Sequence, residues 1–264
     1  MFQYSIVWED KQENLNRVES QLTKEKPDAD LLILPEMFTT GCSMSIKTLS
    51  EPNDGETINR VKQWAAFFGF AITGSFIAHE GDRFYNRAFF VTPDGEVFFY
   101  DKRHLFSIGL EHTVFSAGKE KLIVSYKGWN ICVQICYDLR FPVWTRNVAN
   151  GYDLLLYVAN WPASRISSWN ILLPARATEN MAYVCGVNRV GADKFNIKHN
   201  GYSSLYDMKG NLLAGFKPEE EGIKVTNISL ETLRELRENF PVWKDADFFE
   251  IFHKTPLVLG NSYL

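Results

Sequence analysis

Cys136 closes a run in which Ile131, Val133 and Ile135 alternate with Cys132 and Gln134, and Tyr137, Asp138 and Pro142 follow it. That alternation predicts a buried strand that stops at the cysteine. A thiol at a strand end, followed by polar residues and a proline, is placed to face a cleft. It becomes a nucleophile if a base and a cation stand beside it. Two charged residues elsewhere occupy comparable places. Glu36 follows the apolar run Leu31 to Leu34 and Pro35. In an α/β protein the carboxyl ends of the strands form the ligand crevice. A carboxylate there, flanked by Met37 and Phe38, is partly desolvated, which raises its pKa toward that of a general base. Lys102 follows the apolar run Val97 to Tyr100. An ammonium at that strand end lowers the pKa of a nearby thiol and holds a developing oxyanion.

Each of these residues also has a plainer reading. A lone cysteine is most often an inert core residue, and Cys132 and Cys185, inside apolar runs, are read that way. Glu36 alone could be a helix cap or a loop carboxylate. Lys102 sits in the charged trio Asp101-Lys102-Arg103, which local sequence reads as solvated. Glu111, in Gly109-Leu110-Glu111-His112, is by itself a loop carboxylate.

The elements that must position these residues follow from periodicity. Strands are expected at Phe2 to Trp8, Leu31 to Leu34, Ala71 to Ala78, Asn86 to Thr92, Val97 to Tyr100, Leu122 to Tyr126 and Trp129 to Ile135. Further strands are expected at Leu154 to Ala159, Tyr183 to Asn188, Ser203 to Tyr206, Leu212 to Phe216 and Val225 to Ile228. Helices are expected at Asn14 to Glu25, Glu56 to Phe68, Val143 to Asn150 and Leu230 to Glu238, with another capped by Ser167 or Ser168 and running toward Asn180. The opening β-α-β order is that of an α/β protein. Thr92-Pro93-Asp94-Gly95-Glu96 echoes Asp207-Met208-Lys209-Gly210-Asn211. Each is expected to turn a hairpin that follows a helix-and-strand unit. This hints at two halves, each with its own sheet, packed as a four-layer αββα sandwich.

Length and composition bound the rest. The chain has 264 residues, 45% of them hydrophobic, and a net charge of −4. That suits one large globular domain and gives no general case for nucleic acid. No apolar run approaches the ~20 residues of a membrane-spanning helix. The first ten residues lack the form of a signal peptide. The four cysteines are irregularly spaced, so a reducing cytoplasm is the expected setting. His104, His112 and His199 lack metal-ligand spacing, and no phosphate-binding glycine motif is present, so no metal or nucleotide cofactor is expected.

Three segments together resemble the catalytic segments of the nitrilase, or carbon–nitrogen hydrolase, superfamily, in that family's order: Leu34-Pro35-Glu36-Met37-Phe38, Tyr100-Asp101-Lys102-Arg103-His104-Leu105-Phe106 and Gln134-Ile135-Cys136-Tyr137-Asp138-Leu139-Arg140-Phe141-Pro142. The resemblance implies that Glu36, Lys102 and Cys136 are catalytic, with Glu111 as a supporting carboxylate. It also implies the αββα fold, no cofactor, and a homodimer with a C-terminal tail, about 241–264, in the contacts. Asn160-Trp161-Pro162, Asn188-Arg189-Val190-Gly191 and the segment from Phe240 are similar to the omega-amidase branch, which hydrolyses the terminal amide of short dicarboxylate monoamides such as 2-oxoglutaramate. For such a substrate, Tyr137 supplies a backbone donor, Arg165 a charge, and Trp161 and Phe38 walls. Another carbon–nitrogen hydrolase specificity, or a non-catalytic binding protein of this fold, stays open at this point. Pro174 departs from the family's unbroken helix and is expected to kink or restart it. Met181, where relatives often carry Gln, is a second departure.

Overall fold

The structure, a computed structural model, describes residues 1–247 and 249–251. Its first half runs β1 (Phe2–Gln3), α1 (Lys11–Glu25), β2 (Leu31–Ile33), α2 (Ile46–Leu49), α3 (Glu56–Phe68), β3 (Ala71–Glu80), β4 (Arg83–Val91) and β5 (Val97–Asp101). Next come β6 (Leu122–Tyr126), β7 (Trp129–Ile135), α4 (Pro142–Thr145), β8 (Leu154–Val158), α5 (Ile166–Asn180) and β9 (Tyr183–Val187). The chain continues with β10 (Val190–Ala192), β11 (Lys198–Asn200), β12 (Ser204–Tyr206), β13 (Leu212–Gly215), β14 (Gly222–Ile223) and α6 (Leu230–Asn239).

Two sheets form the centre. One has the order β2-β3-β4-β5, the other β13-β12-β9-β8-β7-β6. The period of two along each strand sorts the side chains between layers. Ile131, Val133 and Ile135 of β7 face inward and meet Ile33, Ala88 and Phe90 of the other sheet in one core cluster. Cys132 faces outward, against Trp169, Leu173 and Ala177 of α5. On the far side, Leu15, Val18 and Leu22 of α1 and Ile58, Val61 and Ala65 of α3 cover Leu32, Ile72 and Phe89. The layers are therefore helix, sheet, sheet, helix, as expected from sequence.

The two halves repeat one plan. β2 and β3 are parallel, β4 and β5 antiparallel; β8 and β9 are parallel, β12 and β13 antiparallel. The echoed turns occupy equivalent places. The N–H of Gly95 donates to Thr92 O and that of Gly210 to Asp207 O, both at about the closing position of a β-turn.

Several expected elements differ. The first strand covers only Phe2–Gln3, with an isolated bridge at Ser5. The expected Val143 to Asn150 helix is a single turn, α4. Beyond it Ala149 and Asn150 take left-handed φ of 52° and 54°, and the Asn147 side chain ties the loop to Tyr152 and Asn180. Val225 to Ile228 is not a strand; the last pairing is Gly222–Ile223 with β1. Helix α5 starts at Ile166 after a 3₁₀ turn, with no side-chain cap from Ser167 or Ser168, which lie inside it. It runs through Pro174 without a break. Three of its side chains are buried on the sheet at helical spacing, which holds the helix across the missing hydrogen bond. Met181 is its left-handed C-cap. The hairpin β10–β11 was not expected at all. Of the tail expected in dimer contacts, residues 248 and 252–264 lie outside the described residues.

Candidate active site

Glu36, Lys102 and Cys136 stand at the C-terminal ends of β2, β5 and β7. Because the two sheets pack face to face, these three ends converge. Glu36 and Lys102 are each only 1% exposed. The Lys102 Nζ donates to Glu36 Oε1 at 2.8 Å and to Glu111 Oε1 at 2.9 Å. Glu36 Oε1 also accepts from Asn86 Nδ2 at 2.7 Å, and Oε2 from the Asn160 N–H at 2.8 Å. Asn160 Nδ2 bonds back to the Glu36 carbonyl. Glu111 Oε2 accepts from the Phe106 N–H at 2.8 Å. Both carboxylates are thus anchored from two sides.

Lys102 is set by its strand and by one glycine. Its N–H donates to Asn86 O, and its carbonyl accepts from the Gly118 N–H. A Cβ on Gly118 would lie 2.0 Å from the Asp101 carbonyl oxygen, so only glycine allows that close approach.

Cys136 has a left-handed φ of 43° and opens a 3₁₀ turn over Cys136–Arg140. Such backbone in a non-glycine residue is uncommon and costs energy. Asp138 holds the turn. Its Oδ2 accepts from the Ile135 N–H at 3.1 Å and from Tyr100 Oη at 2.8 Å; its Oδ1 accepts from the His104 N–H at 2.9 Å and lies 2.8 Å from His104 Nδ1. Tyr100 and His104 flank Lys102, and Ile135 precedes Cys136. One buried carboxylate therefore fixes the ammonium and the thiol relative to each other.

The electrostatics correct two expectations. Burial works against the Glu36 charge, yet the Lys102 ammonium and the hydrogen bonds from Lys102, Asn160 and Asn86 outweigh it. Its pKa lies below the usual carboxylate value rather than above it. Burial would favour a neutral Lys102 amine, but Glu111 and Glu36 reverse this and raise its pKa well above the ordinary value. Burial, reinforced by repulsion from Glu36, raises Glu111 despite Lys102. For Cys136, burial and then the Glu36 charge push the thiol well above its ordinary pKa, and Lys102 lowers it only in part. At neutral pH the site holds a protonated thiol facing an ionised carboxylate.

A cavity of about 390 Å³ opens onto this cluster. Tyr137, Trp161 and Arg165 line it, as expected from sequence. Phe38 does not. It is fully buried in the core between α1, α3 and the first sheet, packed edge-on against Phe89 at 5.9 Å. The chain turns left-handed at Met37, with φ of 44°, and this sends the next side chain under the sheet instead of into the cleft. Arg165 lies over the Phe106 ring at 4.9 Å and Arg140 over Trp161 at 5.0 Å. Neither guanidinium has a carboxylate partner among the described residues. Sequence reasoning missed Asn86, Arg140 and Asp138 as site residues. Asp138 and Arg140 were in plain view beside Cys136; Asn86, in the middle of an antiparallel strand, carried no local signal. Among the described residues no cluster of His, Cys, Asp and Glu is arranged to hold a metal, and no helix is long and apolar enough to cross a membrane.

The family model for carbon-nitrogen hydrolases matches residues 1–238. The chain is 43% identical over 249 residues to the omega-amidase YafV of Yersinia enterocolitica, covering 94% of this chain and 96% of that protein. It is 34% identical to the 2-oxoglutaramate amidase of Bacillus subtilis, covering 92% and 95%. The crystal structure of XC1258 from Xanthomonas campestris, described as a CN-hydrolase superfamily protein with an arsenic adduct in the active site, superposes with a TM-score of 0.92. It is 41% identical, with 96% of this chain and 97% of that chain covered.

Proposed function

The chain belongs to the carbon-nitrogen hydrolase family, and from that premise we propose that it is an amidase that releases ammonia from the terminal amide of a short dicarboxylate monoamide such as 2-oxoglutaramate. One observation carries the choice of substrate. The cavity that holds Cys136 and the Glu36–Lys102–Glu111 cluster is also lined by Arg140 and Arg165, two guanidiniums without carboxylate partners among the described residues. Each rests on an aromatic ring, Trp161 or Phe106, and is held in place by it, with no ion pair to a carboxylate among the described residues. A planar, forked cation suits a carboxylate. The cavity volume, near the small end of the usual ligand range, suits a short substrate. The names of the relatives from Yersinia and Bacillus point the same way.

In this mechanism the amide carbonyl lies between Lys102 Nζ and the Tyr137 N–H. Glu36 takes the Cys136 proton as sulfur attacks the carbonyl carbon. The resulting oxyanion is held by those two donors, each worth about 3 kcal/mol of barrier. Glu36 returns the proton to the amide nitrogen, the C–N bond breaks, and ammonia leaves a thioester on Cys136. Glu36 then deprotonates a water that attacks the thioester; the acid leaves and sulfur regains its proton. Glu111 holds Lys102 through a second ion pair beside that with Glu36. The resting charges support this order, since an ionised base faces a protonated nucleophile. The reaction consumes only amide and water and calls for no cofactor.

We place the enzyme in a reducing, cytoplasmic setting, consistent with four free cysteines, and as a homodimer. Exposed apolar Val143, Val148 and Ile171, on or just after the helices α4 and α5, support the dimer.

The test is ammonia release from 2-oxoglutaramate and succinamate by wild type and by Cys136→Ala. Release by wild type alone is the expected result. Equal release by the folded variant would remove Cys136 from the mechanism. No release from either amide by wild type would remove this substrate class.

A further inference from the structure

The first sheet has the strand order β2-β3-β4-β5. Each of its strands gives one polar residue to a single row: Glu36 just beyond β2, Ser75 on β3, Asn86 on β4 and Lys102 just beyond β5. Across β3 and β4, Ser75 pairs with Ala88 and Ile77 with Asn86. The Ser75 and Asn86 side chains are therefore diagonal neighbours on one face, the face on which Ala88 meets the second sheet. Both residues are fully buried, and neither takes part in the steps of hydrolysis.

The hydrogen bonds along this row run in one direction. The Met37 N–H donates to Ser75 Oγ at 2.8 Å. The Ser75 hydroxyl keeps its own proton to give, and donates it to Asn86 Oδ1 at 3.0 Å. This turns the amide nitrogen of Asn86 toward Glu36, where it donates to Oε1 at 2.7 Å. An ionised carboxylate accepts and cannot donate, which demands the same orientation of the amide. The row also ties down the backbone on either side. The Phe38 N–H donates to Ser75 O, and the Lys102 N–H to Asn86 O. Met37, which Ser75 holds by its N–H, is the left-handed residue directly after Glu36.

The two oxygens of Glu36 are loaded unequally. Oε1 accepts from Asn86 Nδ2 and from Lys102 Nζ. Oε2 accepts from the Asn160 N–H alone among the described residues. A carboxylate oxygen has about two lone-pair sites. Oε1 is filled, and Oε2 keeps one site free.

We propose that Asn86, oriented by Ser75, is a positioning residue: together with Lys102 it fills Oε1 of Glu36 and so leaves the free lone pair of Oε2 to take the Cys136 proton. This rests on the reading of Glu36 as the base of an amidase. The same hydrogen bond stabilises the ionised carboxylate, and it is one of the causes that hold the Glu36 pKa below the usual value. Among the described residues the titratable groups around Glu36 are Lys102, Glu111, Cys136 and Cys42. Substituting Asn86 or Ser75 leaves all four in place.

The test uses the full chain with Asn86→Leu, similar in size and without a donor, and Ser75→Ala, which keeps Asn86 but releases its amide. Both kcat and KM for 2-oxoglutaramate are measured from acid to neutral pH. On the neutral plateau, where Glu36 is ionised, Asn86→Leu should lower kcat about tenfold to hundredfold, because a carboxylate free to turn is misplaced for proton transfer. KM should stay within about twofold. The acid limb of kcat/KM should move to higher pH, since loss of a donor raises the Glu36 pKa. Ser75→Ala should show both effects at smaller size, and it carries the test if Asn86→Leu does not fold. An unchanged plateau kcat would overturn the proposal. So would a fall in kcat with no movement of the acid limb, the mark of general loosening. No ammonia release by wild type would overturn the amidase reading instead. Infrared titration of the Glu36 carboxylate, assigned by difference from Glu36→Gln, then still decides the role of Asn86. A higher Glu36 pKa in Asn86→Leu supports its hold on Oε1, and an unchanged one overturns it.

Discussion

Glu36 raises the pKa of the very thiol it is proposed to deprotonate. Its negative charge and the burial of Cys136 keep the proton on sulfur until a substrate arrives, and Lys102 only partly offsets them. The direction of this coupling makes a prediction. Glu36→Gln removes the repelling charge and leaves the Lys102 cation in place, so the Cys136 pKa falls. Alkylation of Cys136 by iodoacetamide should then be faster than in wild type near neutral pH. Amide turnover should fall by about 10²–10⁴-fold, because the general base is gone. Parallel loss of both rates would contradict the assignment of Glu36 as base. A merely structural glutamate would not speed alkylation while slowing turnover.

Helix α5 shows how an element is decided by its surroundings. Pro174 cannot donate to the carbonyl four residues back, and local rules expect a kink. The helix nonetheless runs from Ile166 to Asn180, because Trp169, Leu173 and Ala177 share one buried face against β7, β8 and β9. Gly186 of β9 completes the fit; a Cβ there would lie 2.5 Å from Trp169. Since packing holds the helix, the proline remains a local cost. Pro174→Ala should raise the unfolding free energy by about 2 kcal/mol, the restored helix hydrogen bond outweighing the loss of unfolded-state restriction. Chemical denaturation measures this, with turnover expected to be unchanged. A less stable variant would mean that the proline ring itself makes a needed contact.

At the scale of the whole molecule, the two-sheet plan brings strand ends from both halves to one cleft. Glu36 and Lys102 come from the first sheet and Cys136 from the second, and Asp138 bonds across the boundary to Tyr100 and His104. In the second half of the chain Ile171 of α5 is 65% exposed, Val143 of α4 58% and Val148, just after α4, 59%. These exposed apolar residues, on α4, just after it and on α5, are where the proposed dimer would form. Light scattering should therefore give a dimer mass for wild type and a monomer mass for Ile171→Glu. A monomeric wild type would remove the dimer from the proposal.

Much of this was legible in the amino-acid sequence because it depends on short-range pattern. Alternation along Ile131 to Ile135 determined a strand and where it stops, a continuous apolar run halted by Pro35 gave Leu31 to Leu34, and the turn at Pro93-Asp94-Gly95 gave Val97 to Tyr100 as a hairpin's return strand. The repeated hairpin turn pointed to two sheets, and three short segments together pointed to the family. What the sequence could not supply were quantities set by distance between remote residues. Whether Glu36 is raised or lowered depends on the balance of burial against Lys102, Asn160 and Asn86, which meet only in the fold. The direction of Phe38 turned on a single left-handed residue before it, and the short length of α4 on side-chain bonds of Asn147 to residues beyond it. Arg189, just before the two-stranded hairpin, and His199, within it, line the cavity, and that hairpin is too short to give a periodic signal. Pattern fixes which faces are buried; only the packed chain decides which charges face one another and which side chains line the cavity.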